Sequence, residues 1–251
     1  MGHSPGAAGN GPGVTSHARR RPLDLAALMA VPHVDPHGGY EISPDGSRVA
    51  FAWNRTGGWE IYEAALDPAL PPRQISRGPG RKFAPRYSPD GRHLACVVDA
   101  DGSEAFDLAV CDLESGQGSN LTAGSLGALQ PDVAWSPAPG SARAGEAQLA
   151  VLAAAAGHFA PYLVGLEDRR PRLAWRTSSP AGAVDWSPDG RWLAVTVEGH
   201  GQDYNLALVP LHGGDVRLVG DTRGAPLNAR DGRWAPGAAA GDLRLAFASD
   251  A

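Results

Sequence analysis

Apolar residues alternate with small or polar residues in four short segments of the chain. These segments are 48–53, 93–98, 148–152 and 191–197. Glycine, proline and aspartate bound each segment and few charges occur inside it, which is typical of strands that are buried on both faces. The pattern therefore predicts an all-β chain rather than a helical repeat.

Two further strand-like segments follow each of these strands. The first comes after a polar hairpin, at 59–66, 106–113, 162–166 and 204–211, and the second is shorter, at 73–75, 119–122, 172–174 and 216–219. One more strand leads into the next unit. The predicted unit therefore has four antiparallel strands, the number found in one blade of a β-propeller.

A Ser-Pro turn, usually Ser-Pro-Asp-Gly, precedes each of the four alternating segments. Its residues are Ser43, Pro44, Asp45, Gly46, Ser88, Pro89, Asp90, Gly91, Ser136, Pro137, Ser187, Pro188, Asp189 and Gly190. A degenerate copy at 234–237 precedes a fifth strand at 243–248. Copies that start at 43, 88, 136, 187 and 235 are 45, 48, 51 and 48 residues apart, which is the period of propeller blades.

The chemistry of the turn explains why these residue types recur. Proline presets φ at the second position of a type I turn, aspartate bonds to nearby backbone, and glycine adopts the left-handed conformation. We therefore interpret the turn residues as structural. The ligand spacing of a calcium loop is absent around the aspartates, so they predict no metal site.

The repeat Ser-Pro-Asp-Gly-Arg/Ser-x-hydrophobic-Ala resembles TolB-like, WD-like propeller repeats. Such repeats also build the N-terminal propeller of the prolyl oligopeptidase and acylaminoacyl peptidase family, whose opening resembles residues 23–28, 31–34 and 53–62 of this chain. The resemblance implies an incomplete β-propeller of four-stranded antiparallel blades. At about 48 residues per unit, a seven-bladed ring needs roughly 340 residues, and this chain supplies about four and a half blades.

We predict two regions. Residues 1–22 are rich in Gly, Pro and Ala and have too few apolar side chains to fold, so we expect a disordered tail. Residues 23–251 form the partial propeller, with a short helix first and repeat units that start near 39, 83, 131, 182 and 229. The last strand and the outer face of the first blade lack neighbours, and we expect the isolated chain to be unstable as a monomer or to associate through its ends.

The resemblance also implies a function. In those peptidases the propeller caps an α/β-hydrolase domain and screens peptides by size before they reach a Ser, Asp and His triad. No hydrolase domain is recognisable in these 251 residues. Gly2-His3-Ser4-Pro5-Gly6 matches the nucleophile-elbow pattern, but it lacks the flanking strand and helix that an elbow needs. We therefore predict no catalytic residue in this chain, and whether the whole protein is an enzyme stays open.

Three functions are compatible with this fold. We favour the non-catalytic propeller portion of a serine peptidase, which gates peptide access to a hydrolase domain that is absent here. The first alternative is a stand-alone TolB-like propeller that scaffolds protein partners. The second is a propeller enzyme such as a lactonase, which would need metal ligands or His/Glu pairs from several blades. In related peptidases an acidic or arginine residue on a propeller loop can hold a substrate terminus, and Glu60, Glu104 and Arg55 are unranked candidates for that role.

Charge and hydropathy exclude several partners. The net charge is −5, which argues against nucleic acid, and no segment approaches the roughly 20 apolar residues of a membrane span. We expect a soluble, cytoplasmic protein whose partners are a peptide substrate or a protein, with the hydrolase domain or the remaining blades. Arg19–Arg21 followed by the apolar stretch 23–34 could be read as a twin-arginine export signal, but Asp24 interrupts that stretch.

Cysteine, histidine and tryptophan complete the list of candidates. Cys96 and Cys111 fall on successive strands of one blade, and we favour two buried free thiols over a cross-strand disulfide. His33, Asp35 and His37 could share one face of an extended segment and meet a zinc ion, although we favour a solvated lead-in to the first blade. The tryptophans recur at similar places in the repeats, which indicates packing between blades. We predict no cofactor.

Overall fold

The protein is represented by a computed structural model that describes residues 25–137, 147–155, 157–199, 203–219, 228–235 and 242–249. It divides into two units, residues 1–31 and 32–251. The described part of the first unit contains a short helix, α1 (Leu25–Met29), with no buried side chain. The predicted tail, residues 1–22, and the elbow-like Gly2 to Gly6 lie outside the described residues.

The described residues of the second unit form five antiparallel sheets in chain order, and within each sheet every strand pairs with the next one along the chain. Sheet 1 contains β1 (Tyr40–Ile42), β2 (Arg48–Trp53), β3 (Glu60–Ala65) and β4 (Arg73–Gln74); sheet 2 contains β5 (Arg81–Tyr87), β6 (His93–Asp99), β7 (Asp107–Asp112) and β8 (Gly118–Asn120); sheet 3 contains β9 (Leu129–Trp135), β10 (Gln148–Ala155), β11 (His158–Gly165) and β12 (Pro171–Leu173); sheet 4 contains β13 (Ala181–Trp186), β14 (Trp192–Glu198), β15 (Tyr204–Pro210) and β16 (Arg217–Val219); and sheet 5 contains β17 (Arg230–Trp234) and β18 (Leu245–Ala248). The prediction of an all-β, incomplete propeller with four-stranded blades is confirmed.

The Ser-Pro-Asp-Gly turn connects the first two strands of a sheet, and its serine does more than the sequence suggested. The Ser43 hydroxyl donates to Asp45 at 2.6 Å and accepts from the backbone N–H of Arg48 at 2.9 Å. Gly46 has a φ of +72°, where a side chain would be strained. The third copy lacks the aspartate, yet its Ser136 still accepts from the Gln148 N–H at 3.0 Å. The serine therefore fixes the start of the second strand.

Each sheet has two faces, which we name by the neighbour that each contacts. The first strands of successive sheets lie next to one another. The backward face of a sheet points to the preceding sheet: in sheet 2 it carries Tyr87, Leu94 and Cys96, and the Tyr87 hydroxyl reaches Glu63 of sheet 1. The forward face points to the following sheet and carries the alternate residues, such as Ala95 and Val97.

The core lies between these faces. One buried cluster spans sheets 1 to 3, a second joins sheets 3 and 4, and a smaller third joins sheets 4 and 5. Leu94, Leu149 and Leu193 occupy the same position of the repeat, and each is 0% exposed. The second strands of sheets 2 to 4 are therefore buried on both faces, as their apolar runs predicted.

The longest hairpin extends beyond the predicted strand ends. The sequence predicted strands at 148–152 and 162–166, whereas β10 continues to Ala155 and β11 begins at His158. Alanine and glycine favour strands weakly, so the pattern faded there. Cross-strand pairs such as Ala154 with Phe159, together with Gly157 at a φ of +93°, extend the ladder.

Candidate functional site: the cavity along the inner strands

The first strands of all five sheets line one cavity of about 500 Å³. We call it the inner-strand cavity. Each of the five sheets contributes one charged residue from its first strand to the wall of the cavity. Its charged lining residues are Glu41, Arg86, Asp132, Asp185 and Arg233.

Arg86 and Glu41 form the first charged pair of the cavity. The Arg86 Nη1 lies 3.4 Å from Glu41 Oε2 and also donates to the Pro85 carbonyl at 3.0 Å. The Arg86 carbonyl accepts from the Trp135 indole at 3.0 Å, which ties sheet 2 to sheet 3. About a third of each charged side chain stays accessible, so both can meet a ligand.

Asp132 and Asp185 bind the backbone of the sheet that follows them. Asp132 Oδ2 accepts from the Val184 N–H at 2.9 Å, and Asp185 Oδ2 accepts from the Trp234 N–H at 2.8 Å. Asp132 Oδ1 also lies 3.9 Å from Arg233 Nη2, a guanidinium that is half exposed. These two carboxylates therefore hold neighbouring sheets together while facing the cavity.

Burial changes the proton affinity of two of these acids. It raises the pKa of Glu41, although the Arg86 guanidinium opposes the shift. It also raises the pKa of Asp185, against the lowering effects of the Trp234 N–H and of Arg233. A cationic ligand group beside either acid would favour the ionised form.

The lining of the cavity is rich in charged groups. No serine, threonine, cysteine or histidine is among the described residues that line the cavity. Within the described ranges, no group of three His, Cys, Asp or Glu residues could hold a metal ion. Two arginines and three carboxylates can instead hold the charged ends of a peptide.

The predicted turn residues lie elsewhere. Ser43, Pro44 and Asp45 line a second cleft of about 420 Å³ between sheets 1 and 2, together with Glu63. Hydrogen bonds from Ser43 and Ser47 hold the pKa of the Asp45 carboxyl at about 2, so it stays ionised within its own turn. The turns thus shape a cleft beside the cavity but do not line the cavity itself.

The three unranked candidates for a substrate anchor do not line the inner-strand cavity. Glu60 is 5% exposed and is bound by Lys82 and Ser76. Arg55 is exposed and stacks on Trp53, with its guanidinium carbon 5.0 Å from the ring centroid. Glu104 is exposed in the hairpin between β6 and β7.

Two of the candidate zinc ligands, Asp35 and His33, contact other side chains. Asp35 accepts from the His37 N–H at 2.9 Å and pairs with Arg81. His33 packs edge-on against Trp59, with ring centroids 5.0 Å apart. These contacts tie the segment before sheet 1 to Arg81 of sheet 2 and to Trp59.

The cysteine and tryptophan assignments concern packing. Cys96 and Cys111 are buried free thiols, as favoured from the sequence, because the register places Ala109 and not Cys111 opposite Cys96. Trp135 and Trp186 are buried between sheets, at 9% and 6% exposure. The remaining five tryptophans are half-buried.

Sequence reasoning missed the charged wall of the cavity, although a signal was present. When the units are aligned on Ser-Pro, the residue two places before the serine is charged in four of five units. These residues are Glu41, Arg86, Asp185 and Arg233, with Ala134 in the remaining unit. A charge at a fixed position of an otherwise apolar strand indicates that this position faces solvent.

Comparisons with known proteins agree with this fold. TolB from Acinetobacter baumannii superimposes with a TM-score of 0.55 at 19% identity, covering 72% of this chain and 43% of TolB. A prolyl endopeptidase superimposes with the same TM-score of 0.55 at 13% identity, covering 81% of this chain and 31% of the enzyme. The fold is that of the TolB and peptidase propellers.

The chain is also similar in sequence to a protein named as a peptidase. The uncharacterized peptidase YuxL of Bacillus subtilis is 26% identical over 224 residues, which is 84% of this chain. The chain spans only 30% of the length of that relative. No family model matches the chain. Among the described residues, no helix is long and apolar enough to cross a membrane.

Proposed function

We propose that this chain is the propeller portion of a serine peptidase of the prolyl oligopeptidase family and controls the access of peptides to an α/β-hydrolase domain. The observation that carries the proposal is the inner-strand cavity, whose wall presents both guanidinium and carboxylate groups. Similarity to a peptidase over most of the chain supports the same conclusion. In this function the chain selects peptides, and the bond is cleaved by residues outside positions 1–251.

Peptides suit this cavity because of its size and charge. A cavity of about 500 Å³ lies within the range of small-ligand sites. Arg86 can pair with a terminal carboxylate, and a carboxylate of another sheet, Asp132 or Asp185, can pair with a terminal ammonium. The cavity is therefore expected to prefer short peptides with free termini.

Equilibrium dialysis against random tetrapeptides tests this directly. Wild-type protein should enrich peptides with free termini over the same peptides with acetylated and amidated ends. Arg86→Gln should weaken the enrichment about tenfold, the size expected for a charged hydrogen-bonding anchor. The matched control is Arg244→Gln, which removes an exposed arginine that pairs only locally with Asp242. Equal enrichment by wild type and Arg86→Gln would refute the proposal.

Two further experiments test whether the catalytic residues lie within this chain or after it. The purified chain should not hydrolyse a p-nitrophenyl ester or an acyl-peptide, and Ser4→Ala serves as the control for the elbow-like residues. Hydrolysis that this substitution abolishes would place the nucleophile in the tail. The DNA after codon 251 should continue in frame into a hydrolase domain with a nucleophile elbow.

A TolB-like scaffold is the second candidate, favoured by the equal TM-score of the TolB structure. A scaffold binds folded proteins and gains nothing from peptide termini. Binding of a folded partner without tetrapeptide enrichment, and a reading frame without a hydrolase domain, would favour this alternative.

A further inference from the structure

A small cleft between sheets 3 and 4 occupies the same place in the repeat as the cleft between sheets 1 and 2. Its volume is about 250 Å³. The strand registers and the Ser-Pro turns align the residues that line the two clefts. The equivalent pairs used below are Leu163 with Glu63, Arg172 with Arg73, and Trp186 with Tyr87.

Between sheets 1 and 2, the chain supplies a carboxylate to the donors of its own cleft. Glu63 accepts from the Tyr87 hydroxyl and from the Arg73 guanidinium, each at 2.9 Å. The acid lies at the centre of the cleft, and a strand residue on either side donates to it. This arrangement shows what the repeat does with an anion at this position.

Between sheets 3 and 4, the donors remain but the acid is replaced. Leu163 stands in the place of Glu63, and no aspartate or glutamate is among the described residues that line the cleft. Trp186 is 6% exposed, yet its indole N–H meets no acceptor in the part of the chain that the structure describes. The exposed Arg172 likewise forms no ion pair with any described residue.

The acid of the adjoining turn is already engaged. Asp189 accepts from the Ser187 hydroxyl at 2.7 Å and from the Arg191 N–H at 3.1 Å, so it is held within its own turn. A buried donor that lacks an acceptor costs free energy. An acceptor that does not belong to the described residues is therefore favoured beside Trp186 and Arg172.

We propose that this cleft binds a small apolar monocarboxylate, whose carboxylate takes the place that the Glu63 carboxylate has between sheets 1 and 2. A guanidinium and an indole N–H both donate to carboxylate oxygens, and the hydrogen bond from the cation is the stronger one. Leu163 and Leu211 line the same cleft and provide apolar contact for the hydrocarbon part of the ligand. The small volume favours a ligand of benzoate size over a longer chain.

The site is separate from the inner-strand cavity, because no described residue lines both. The inference therefore does not depend on the proposed function. An inorganic anion such as phosphate fits less well, since the two leucines would contact nothing on it. A neutral ligand of the same shape would leave the Arg172 guanidinium without a counter-charge.

Titration of the purified chain with benzoate, followed by the indole N–H signals in an NMR spectrum, tests the proposal. The Trp186 signal, assigned by its loss in Trp186→Phe, should move downfield and saturate as the carboxylate accepts its hydrogen bond. Because Trp186 does not line the inner-strand cavity, this signal reports on the proposed site. Benzamide has the same shape without the charge and should bind about tenfold more weakly.

Arg172→Gln should weaken benzoate binding about tenfold, the size expected for a charged hydrogen-bonding partner. Arg172 is exposed, so this variant should fold. The matched control is Arg170→Gln, which removes an exposed arginine two positions away that does not line the cleft and should bind like wild type.

Three results would overturn the inference. The first is a Trp186 signal that benzoate does not move, or that benzoate and benzamide move equally. The second is binding by Arg172→Gln that equals binding by Arg170→Gln. The third is tighter binding of phosphate, or of a capped Ala-Glu-Ala peptide, than of benzoate; either would assign the site to a ligand other than a small apolar monocarboxylate.

Discussion

The interface between sheets 1 and 2 and the interface between sheets 3 and 4 use the same positions of the repeat with different chemistry. In the latter, Trp186 of sheet 4 faces sheet 3, whose forward face carries Leu163 at the central position. In the former, Tyr87 stands in the place of Trp186, and Glu63 stands in the place of Leu163. We call them the polar interface and the apolar interface.

Glu63 is almost fully buried, with 1% of its side chain exposed. It accepts hydrogen bonds from Tyr87, Arg48 and Arg73, each at 2.9 Å. Burial and this carboxylate together raise the pKa of the Tyr87 hydroxyl, which stays protonated and donates. This buried acid is tolerated because three side chains donate hydrogen bonds to it.

A second buried pair lies in the polar interface. Lys82 Nζ donates to Glu60 at 2.9 Å and to the carbonyls of Gly78 and Gly80. Ser76 donates to the other oxygen of Glu60 at 2.5 Å. Apolar contacts tolerate substitutions that conserve side-chain volume. These polar networks, in contrast, lose stability when any one partner is removed.

The largest effect is expected from Lys82→Met. It leaves the buried Glu60 carboxylate without its cation, which should lower the free energy of unfolding by about 3–5 kcal/mol. Urea denaturation followed by tryptophan fluorescence measures the loss.

The double variant Lys82→Met with Glu60→Met is the control for that experiment. Replacing a whole buried ion pair by apolar residues is often neutral, so most of the lost stability should return. If the double variant were as unstable as the single one, packing of the lysine stem, and not charge, would explain the effect.

A smaller effect is expected when the polar interface is given the leucine of the apolar one. Glu63→Leu leaves the buried Tyr87 hydroxyl without an acceptor, at a cost of about 1–3 kcal/mol. Tyr87→Phe in the same chain removes that hydroxyl and should recover part of the loss. A double-mutant cycle gives the coupling between the two positions, and zero coupling would contradict the proposed network.

The contrast between these interfaces also explains what could be predicted from the sequence. Strands and turns depend on neighbours in the chain, so the period of about 48 residues and the Ser-Pro-Asp-Gly turns were sufficient to predict them. The buried role of Glu63 depends on Tyr87, a residue 24 positions away on another sheet. Nothing in the local pattern of β3 distinguishes a buried glutamate from an exposed one.

The inner-strand cavity could not be predicted from the sequence for a related reason. Asp132 and Val184 are 52 positions apart, and Asp185 and Trp234 are 49 apart. Contacts of this span appear only when whole sheets are placed beside one another. A charge that recurs two places before the turn could have suggested a shared wall, but its partners required the fold.

Acid should weaken the ion pair between Asp35, in the segment before sheet 1, and Arg81 of sheet 2. Burial alone would raise the pKa of this carboxyl, but the His37 N–H and the Arg81 guanidinium outweigh it and hold the pKa below its ordinary value. An acid with a lowered pKa stabilises the fold above its unfolded pKa of about 4, and this contribution is lost as pH falls through the folded value. Asp35→Asn should therefore flatten the acid side of a stability curve measured by thermal melting.

For Asp185, between sheets 4 and 5, we expect stability to change with pH in the opposite direction. Burial raises its pKa, so its contribution is present below the unfolded pKa and is lost as pH rises through the folded value. The wild type should lose stability as pH rises through this range. Asp185→Asn should not show that loss when it is measured by the same thermal melting experiment. The same direction of change in both variants would contradict the assignment.

The smallest effect is expected where the polar interface already resembles the apolar one. Cys96 and Cys111 of sheet 2 occupy the positions of Val195 and Val209 in sheet 4. Valine at both positions keeps the side chains apolar and close in size, and it should change the free energy of unfolding by less than about 1.5 kcal/mol. Burial raises the pKa of both thiols, so neither should react with a thiol reagent until urea unfolds the protein. Rapid labelling of the native wild type would show that sheets 1 and 2 separate, and would place the weak point of the fold at the polar interface.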